Sequence, residues 1–516
     1  MRGNRAARAG GARGGEPMNR GVSVCVALAL AVSTAGAQQG NASTAAARPQ
    51  LVVSVPTNDD LVARMIDEGT HRSHVAADLE YLLDVIGPRL TGSMALRRAN
   101  EWTRDKFREY GADSAYLESW PFGRGWTRGP MTLRMLAPQQ RELLGVSWGW
   151  SPGTNGPVAG NVVLMDARTP QEFEKRFAGK LRGAWVLLGA AQPVVNMAAP
   201  PVTRADSTRQ DSVVRALAPH DDAERQFFAQ RFWYVAREGV AGVIHDGAKQ
   251  FDLFTMSGSP SAISPVPQIV VGNDEYAQFQ RLVRRGEPVR IEADIKNSFT
   301  RDSLGQYNTV AEIRGSEHPD QVVLLGAHLD SWDISTGGTD NGAGAIAVLE
   351  AARILKATGV RPKRTIRFVL FTGEEQGLFG SQAYAASHEK ELDRYQAVLV
   401  LDNGTGRITG MALQNREELR DMWKSMLAPV AGGELGPLVV RSAFKTGTDH
   451  LAFIQDGVPS FNYDQLSRGY DFTHHSQVDD YNHVVPSDVA QAATIMAVNA
   501  WQFADMAALL PRGKKG

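Results

Sequence analysis

Three apolar runs in the second half of the chain each stop at a residue that can bind a cation or move a proton. Residues 322–327 lead to His328 and Asp330, residues 366–371 to Glu374 and Glu375, and residues 397–401 to Asp402. Asp340 lies in the glycine-rich loop Gly337-Gly338-Thr339-Asp340-Asn341-Gly342, and His474-His475 follow much later. Imidazole and carboxylate without sulfur suit zinc or a similar borderline cation. A carboxylate can bridge two ions through its two oxygens, whereas a neutral imidazole ordinarily binds one. Five such ligands with one bridging aspartate would give each of two ions three protein contacts, with a position left open on each for water or substrate. Adjacent Glu374 and Glu375 allow one to bind metal and the other to transfer a proton. Asp330, two residues beyond His328, is placed to orient the imidazole. Taken singly, Glu374-Glu375 reads as a solvated helix start, Asp402-Asn403-Gly404 as a turn and His474-His475 as a surface pair. Their conjunction at successive strand ends is what carries meaning.

The elements that would gather these ends are legible as well. A continuous apolar run such as 322–325 is expected of a strand buried on both faces. Ala345, Val348, Leu349, Ala352 and Leu355 then fall at helical spacing, and a further helix is expected around 381–388. Such alternation predicts an α/β fold with a mostly parallel sheet flanked by helices, whose ligands bind outside the carboxyl ends of the strands. Upstream, residues 58–120 read as largely helical, with Asp59-Asp60 opening one helix and 94–110 forming another. The stretch IGPRLTGS (86–93) between them is a loop. From 125 to 305 the texture changes to short β-rich runs at 162–165, 184–188, 242–244 and 268–271, with a polar surface excursion at 206–225. This predicts a separate β-rich module.

The 516 residues are 43% hydrophobic and 22% charged, as in an ordinary globular protein. Residues 1–37 read as a signal peptide: five arginines, an apolar run at 22–32, then Ala35-Gly36-Ala37 as a cleavage site. The run is too short to span a bilayer, so no stable membrane span is expected after its removal. Residues 38–50 are small and polar, a flexible leader. The lone cysteine, Cys25, falls within the signal, so a mature chain would have no disulfide and no cysteine–zinc site. Without 1–37 the chain holds 50 basic and 55 acidic residues, which argues against nucleic acid as a partner. A periplasmic or secreted protein is expected.

The runs GAHLDSWDISTGGTDNGAGAIAVLEAARIL, RPKRTIRFVLFTGEEQGLFGSQAY, VLVLDNGTG, GTDHLAFIQDGVPSFNY and THHSQVDDYNHV, in that order, resemble the co-catalytic zinc exopeptidases related to bacterial leucyl aminopeptidase. The resemblance extends to IGPRLTGS and implies two zinc ions, one on His328 and Asp402, the other on Glu375 and His475, with Asp340 bridging. It assigns Glu374 as general base. It selects His475 over His474, because the family's ligand is followed four residues later by aspartate, here Asp479; the next residue, usually threonine, is Asp480. It further implies that residues 125–305 are a protease-associated domain inserted into a zinc peptidase domain formed by 51–124 and 306–516, and that the protein is a homodimer. The expected activity is hydrolysis of short peptides or dipeptides at a free terminus, dipeptidase- or carboxypeptidase-like, with an aminopeptidase as the alternative. A non-catalytic binding protein on the same scaffold is disfavoured because all five ligands and the base are present. Asp449 reads as a helix cap or a substrate-facing acid, and Tyr463 and Tyr470 as oxyanion stabilisers or packing residues.

Overall fold

A computed structural model describes residues 51, 53–192 and 216–513. The expected signal peptide (1–37), the leader (38–50) and residues 206–215 of the 206–225 excursion lie outside the described residues. No described helix is long and apolar enough to cross a membrane.

The described strands form two eight-stranded sheets. The first contains β1 (Ser114–Thr127), β10 (Ser298–Ile313), β11 (His318–His328), β12 (Arg364–Phe371), β13 (Tyr395–Val400), β14 (Ile408–Ala412), β15 (Val439–Arg441) and β16 (Ser460–Gln465). Its order is β1-β10-β12-β11-β13-β16-β14-β15. The central strands β12, β11, β13 and β16 run parallel. Strands β1 and β10 pair antiparallel with each other, β10 with β12, and β14 with β16. The sheet is therefore mixed rather than mostly parallel. The antiparallel part is the long β1–β10 ribbon, along which the chain leaves the sheet and comes back, on one side, and β14 on the other. The helix Met94–Glu109 matches the expected one, but β1 replaces helix from Ser114 onward. Trp120, Phe122 and Trp126 on β1 bury their rings in one aromatic cluster.

The second sheet contains β2 (Met131–Ala137), β3 (Arg141–Glu142), β4 (Gly145–Ser147), β5 (Val158–Met165), β6 (Trp185–Leu188), β7 (Gly242–Asp246), β8 (Gln268–Val271) and β9 (Arg290–Ile295), in the order β3-β2-β9-β5-β6-β7-β8-β4. Here too the middle strands β5 to β8 are parallel. Helices Pro170–Arg176, Asp222–Ala236 and Asn273–Arg284 accompany them, so the segment is α/β, not simply β-rich. Alternate residues of its strands face two apolar layers: Leu187, Ile244 and Ile269 in one, Val186 and Val243 in the other, where Phe227 of the helix Asp222–Ala236 packs on them.

The first sheet's core is closed by helices Ala343–Ala357 and Pro486–Asp505, which are buried over most of their length. The first of these comes down directly on the end of β13. A β-carbon on Gly344 would lie 2.5 Å from the Leu401 carbonyl oxygen and 2.3 Å from the Asn341 side chain, so only glycine permits that approach.

Candidate active site

Because β12, β11, β13 and β16 are parallel neighbours, their carboxyl ends open on one edge. His328 is the last residue of β11, Glu374 and Glu375 follow β12, and Asp402 follows β13. The chain leaving β16 carries His474 and His475, a fourth contribution that the sequence reading did not attach to a strand. His328 Nε2 lies 3.3 Å from Asp340 Oδ1, 3.3 Å from Asp402 Oδ1 and 4.0 Å from Glu374 Oε2. On the other side of Asp340, Oδ2 is 3.5 Å from His475 Nε2, which is 2.9 Å from Glu375 Oε2. All six residues are thus brought together. His474 stacks on His475 and sits 3.8 Å from Asp340, so distance alone separates the two histidines only slightly.

A set of main-chain and side-chain bonds holds these groups. His328 Nδ1 pairs with the Asp330 carbonyl oxygen at 3.0 Å, while the Asp330 carboxylate is 3.6 Å away. That carboxylate accepts from Thr91 Oγ1 at 2.9 Å and, at 3.4 Å, from the Glu374 and Glu375 N–H groups. Asp330 therefore orients the imidazole through its backbone and the glutamate turn through its side chain. Asp479 accepts from Thr339 N at 2.6 Å, Thr339 Oγ1 at 2.7 Å and Asp340 N at 3.0 Å, which fixes the Asp340 turn. Arg89, fully buried, donates to the carbonyls of Leu329 (2.7 Å), Thr336 (2.6 Å) and Gly337 (2.8 Å). It ties the end of β11 to the loop that carries Asp340. Gly337 has φ 64°, and a β-carbon there would meet Ser331 at 2.2 Å. Arg89 and Thr91 belong to the IGPRLTGS stretch, whose loop character was legible but whose partners, some 240 residues away, were not.

The second sheet reaches the site too. His475 has φ 56°, a left-handed conformation unfavourable for a residue with a β-carbon, so its loop must be held from outside. The segment after β7 does this. Met256 N donates to His475 O at 2.8 Å, Phe254 N to Gln477 Oε1 at 2.8 Å, and Gln477 Nε2 to Asp252 O at 2.9 Å. Lys249 donates to the Asp471 carbonyl, and Phe251 stacks near Phe472. Of the residues left open by sequence, Tyr463 is buried and donates to Asn499, which makes it a packing residue. Tyr470 lies against His474. Asp449 is fully buried and does not cap the helix Leu451–Ile454 that follows it.

The cluster holds more negative charge than its own cations balance. Burial, then the nearby Asp402, Asp449 and Glu375 carboxylates against an opposing His328, pushes Glu374 well above the ordinary carboxylate range. Burial and then Asp340 do the same to Glu375, also against His328. Asp340 Oδ2 and Glu375 Oε1 are buried without a hydrogen-bond donor among the described residues. Unpaired buried carboxylates are strongly unfavourable unless a cation joins them. His328, Asp340 and Asp402 can converge on one ion, and Asp340, His474 and His475 on another; the donor set fits zinc.

Comparison with known proteins agrees with this chemistry. Residues 308–500 match the model for peptidase family M28. Human carboxypeptidase Q is 30% identical over 437 residues, which cover 84% of this chain and 86% of that protein. The chain belongs to peptidase family M28. It is a metallopeptidase, a hydrolase of peptide bonds. The crystal structure of a peptidase M28 precursor from Shewanella amazonensis SB2B superposes with a TM-score of 0.72 at 25% identity, covering 89% of this chain and 99% of that one. BSAP, a zinc aminopeptidase from Bacillus subtilis, shares the fold at a TM-score of 0.58 and 18% identity, covering 88% and 98%.

Proposed function

We propose that this M28 peptidase is an exported two-zinc exopeptidase of dipeptides or short peptides. The observation that carries the reading is the Asp340 carboxylate, one oxygen 3.3 Å from His328 and the other 3.5 Å from His475. His328 and Asp402 would hold one ion, Glu375 and His475 the other, with Asp340 shared. Zinc bound there supplies an acidified water and a polarised scissile carbonyl. Glu374 is free of ligand duty in this assignment. Its carboxylate takes the water's proton and passes it to the leaving amine. Asp330 and Asp479 keep the Glu374-Glu375 turn and the Asp340 turn in register. Likeness to carboxypeptidase Q over most of both chains favours a dipeptidase or carboxypeptidase. Residues 1–37 are read as the export signal, and 125–305 as a protease-associated domain that shapes access. A homodimer is also proposed; light scattering of the mature protein tests it.

The test of activity uses chelator-stripped protein with zinc restored and three matched dipeptides: unblocked, N-acetylated and C-amidated. Zinc-dependent cleavage lost on either block indicates a dipeptidase. Loss on C-amidation alone indicates a carboxypeptidase, and loss on N-acetylation alone an aminopeptidase. Asp340→Ala should abolish turnover; unchanged turnover would refute the shared-carboxylate site.

A further inference from the structure

We propose that Trp332 binds the substrate: its indole N–H donates a hydrogen bond to an oxygen of the peptide seated at the metal site. The assignment rests on the exopeptidase reading. Trp332 lies four residues beyond His328 and lines the same pocket as Asp340, Glu375, His475 and Asp479. It is 4% exposed, yet its Nε1 has no acceptor among the described residues.

The ring is fixed from several sides. Trp150 packs edge-on at 6.4 Å and His475 at 5.9 Å. A β-carbon on Gly149 would lie 3.0 Å from Cζ3, on the benzo ring across from Nε1. The next residue, Asp333, is gripped by Arg128 at 2.7 Å and 3.0 Å. A donor held this way is already oriented when a ligand arrives.

The chemistry separates Trp332 from the other unsatisfied atoms of the pocket. Asp340 Oδ2 and Glu375 Oε1 are acceptors, and cations satisfy them. An indole N–H is a donor only, so no cation can satisfy it, whereas a peptide carbonyl or terminal carboxylate can. If packing were its whole task, phenylalanine would serve without leaving a buried donor unpaired. Two oxygen sources fit: the terminal carboxylate and the carbonyl of the scissile bond.

The test compares wild type with Trp332→Phe and with Trp332→benzothienylalanine, in which sulfur replaces N–H in a ring of the same shape. Each is brought to full zinc content and assayed on a dipeptide and on the matching aminoacyl alkylamide, which lacks the terminal carboxylate and, where it is not cleaved, is read by its inhibition constant against the dipeptide. KM for the dipeptide should rise about ten-fold in both variants, the size of one buried hydrogen bond, with the thermal midpoint and zinc content retained. A rise confined to the dipeptide assigns the carboxylate as acceptor; a rise on both substrates assigns the scissile carbonyl. Unchanged KM in the benzothienylalanine variant overturns the proposal, as does a rise that tracks lost zinc, since the ring would then act through His475. If wild type cleaves neither substrate, the exopeptidase reading fails instead. Calorimetric binding of the dipeptide, ten-fold weaker in the variants or unchanged, then decides the matter for Trp332.

Discussion

Arg89→Met probes how the site is held together without touching any proposed ligand. The guanidinium makes three short bonds to main-chain oxygens of Leu329, Thr336 and Gly337, and a longer one to Gly87 at 3.3 Å. Bonds from a charged donor are worth about 1.5–3 kcal/mol each, so the three short ones contribute roughly 6 kcal/mol. Opposing this is the cost of burying the charge. Burial pulls Arg89 down to about 10 even though Asp479, Asp330, Glu375 and Asp340 oppose the shift, equivalent to about 3 kcal/mol. The net loss on substitution should therefore be about 3 kcal/mol, because methionine fills the space but leaves the three carbonyls unpaired. Urea denaturation of the zinc-loaded protein should show that loss. Competition with a chromogenic chelator should show weaker zinc binding as the loops bearing His328 and Asp340 separate. Arg89→Lys keeps the charge but not the planar fork and should fall between the two. A methionine variant within 1 kcal/mol of wild type (well under the roughly 3 kcal/mol expected) and with unchanged zinc affinity would refute the reasoning.

Asp479→Asn puts an amide donor against the N–H of Thr339 or Asp340 and should weaken zinc binding by about ten- to hundred-fold, read by the same chelator competition. Gln477→Ala removes that side chain's two bonds to the segment after β7; zinc should dissociate faster while the urea midpoint changes little, and an unchanged off-rate would exclude a role for the Gln477 bonds in holding the His475 loop. His245 gives a pH prediction away from the metal site. It stacks on Trp148 and pairs with Gln268 at 2.6 Å, and burial lowers it from 6.5 to about 4, with Arg231 adding slightly and Gln268 opposing. Between these values the unfolded chain binds a proton that the folded chain does not. Stability is thus full above pH 6.5 and falls toward pH 4, by up to about 3 kcal/mol. His245→Gln should flatten that part of the stability–pH curve, and an identical curve would show that the fold does not hold His245 in its neutral form.

The ends of β11, β12 and β13 were legible because a parallel strand buried on both faces must be apolar throughout, so the polar residue that stops it stands out. The helix Ala343–Ala357 was legible from its spacing, whereas the choice of His475 over His474 rests on family likeness alone, since the two are chemically equal neighbours. Sequence alone could not show that β1 continues the first sheet, because its antiparallel partner β10 lies beyond the whole second sheet. Nor could it show that Arg89 and Thr91 serve His328 and Asp330, that Asp479 holds the Asp340 turn, or that Met256 and Phe254 steady His475. Local patterning records which face of an element is buried, and hence the strands, the helices and the chemical types at their ends. Contacts between segments hundreds of residues apart leave no period in the sequence; they come into being only when packing brings two loops to the same edge, and that edge is where the site is made.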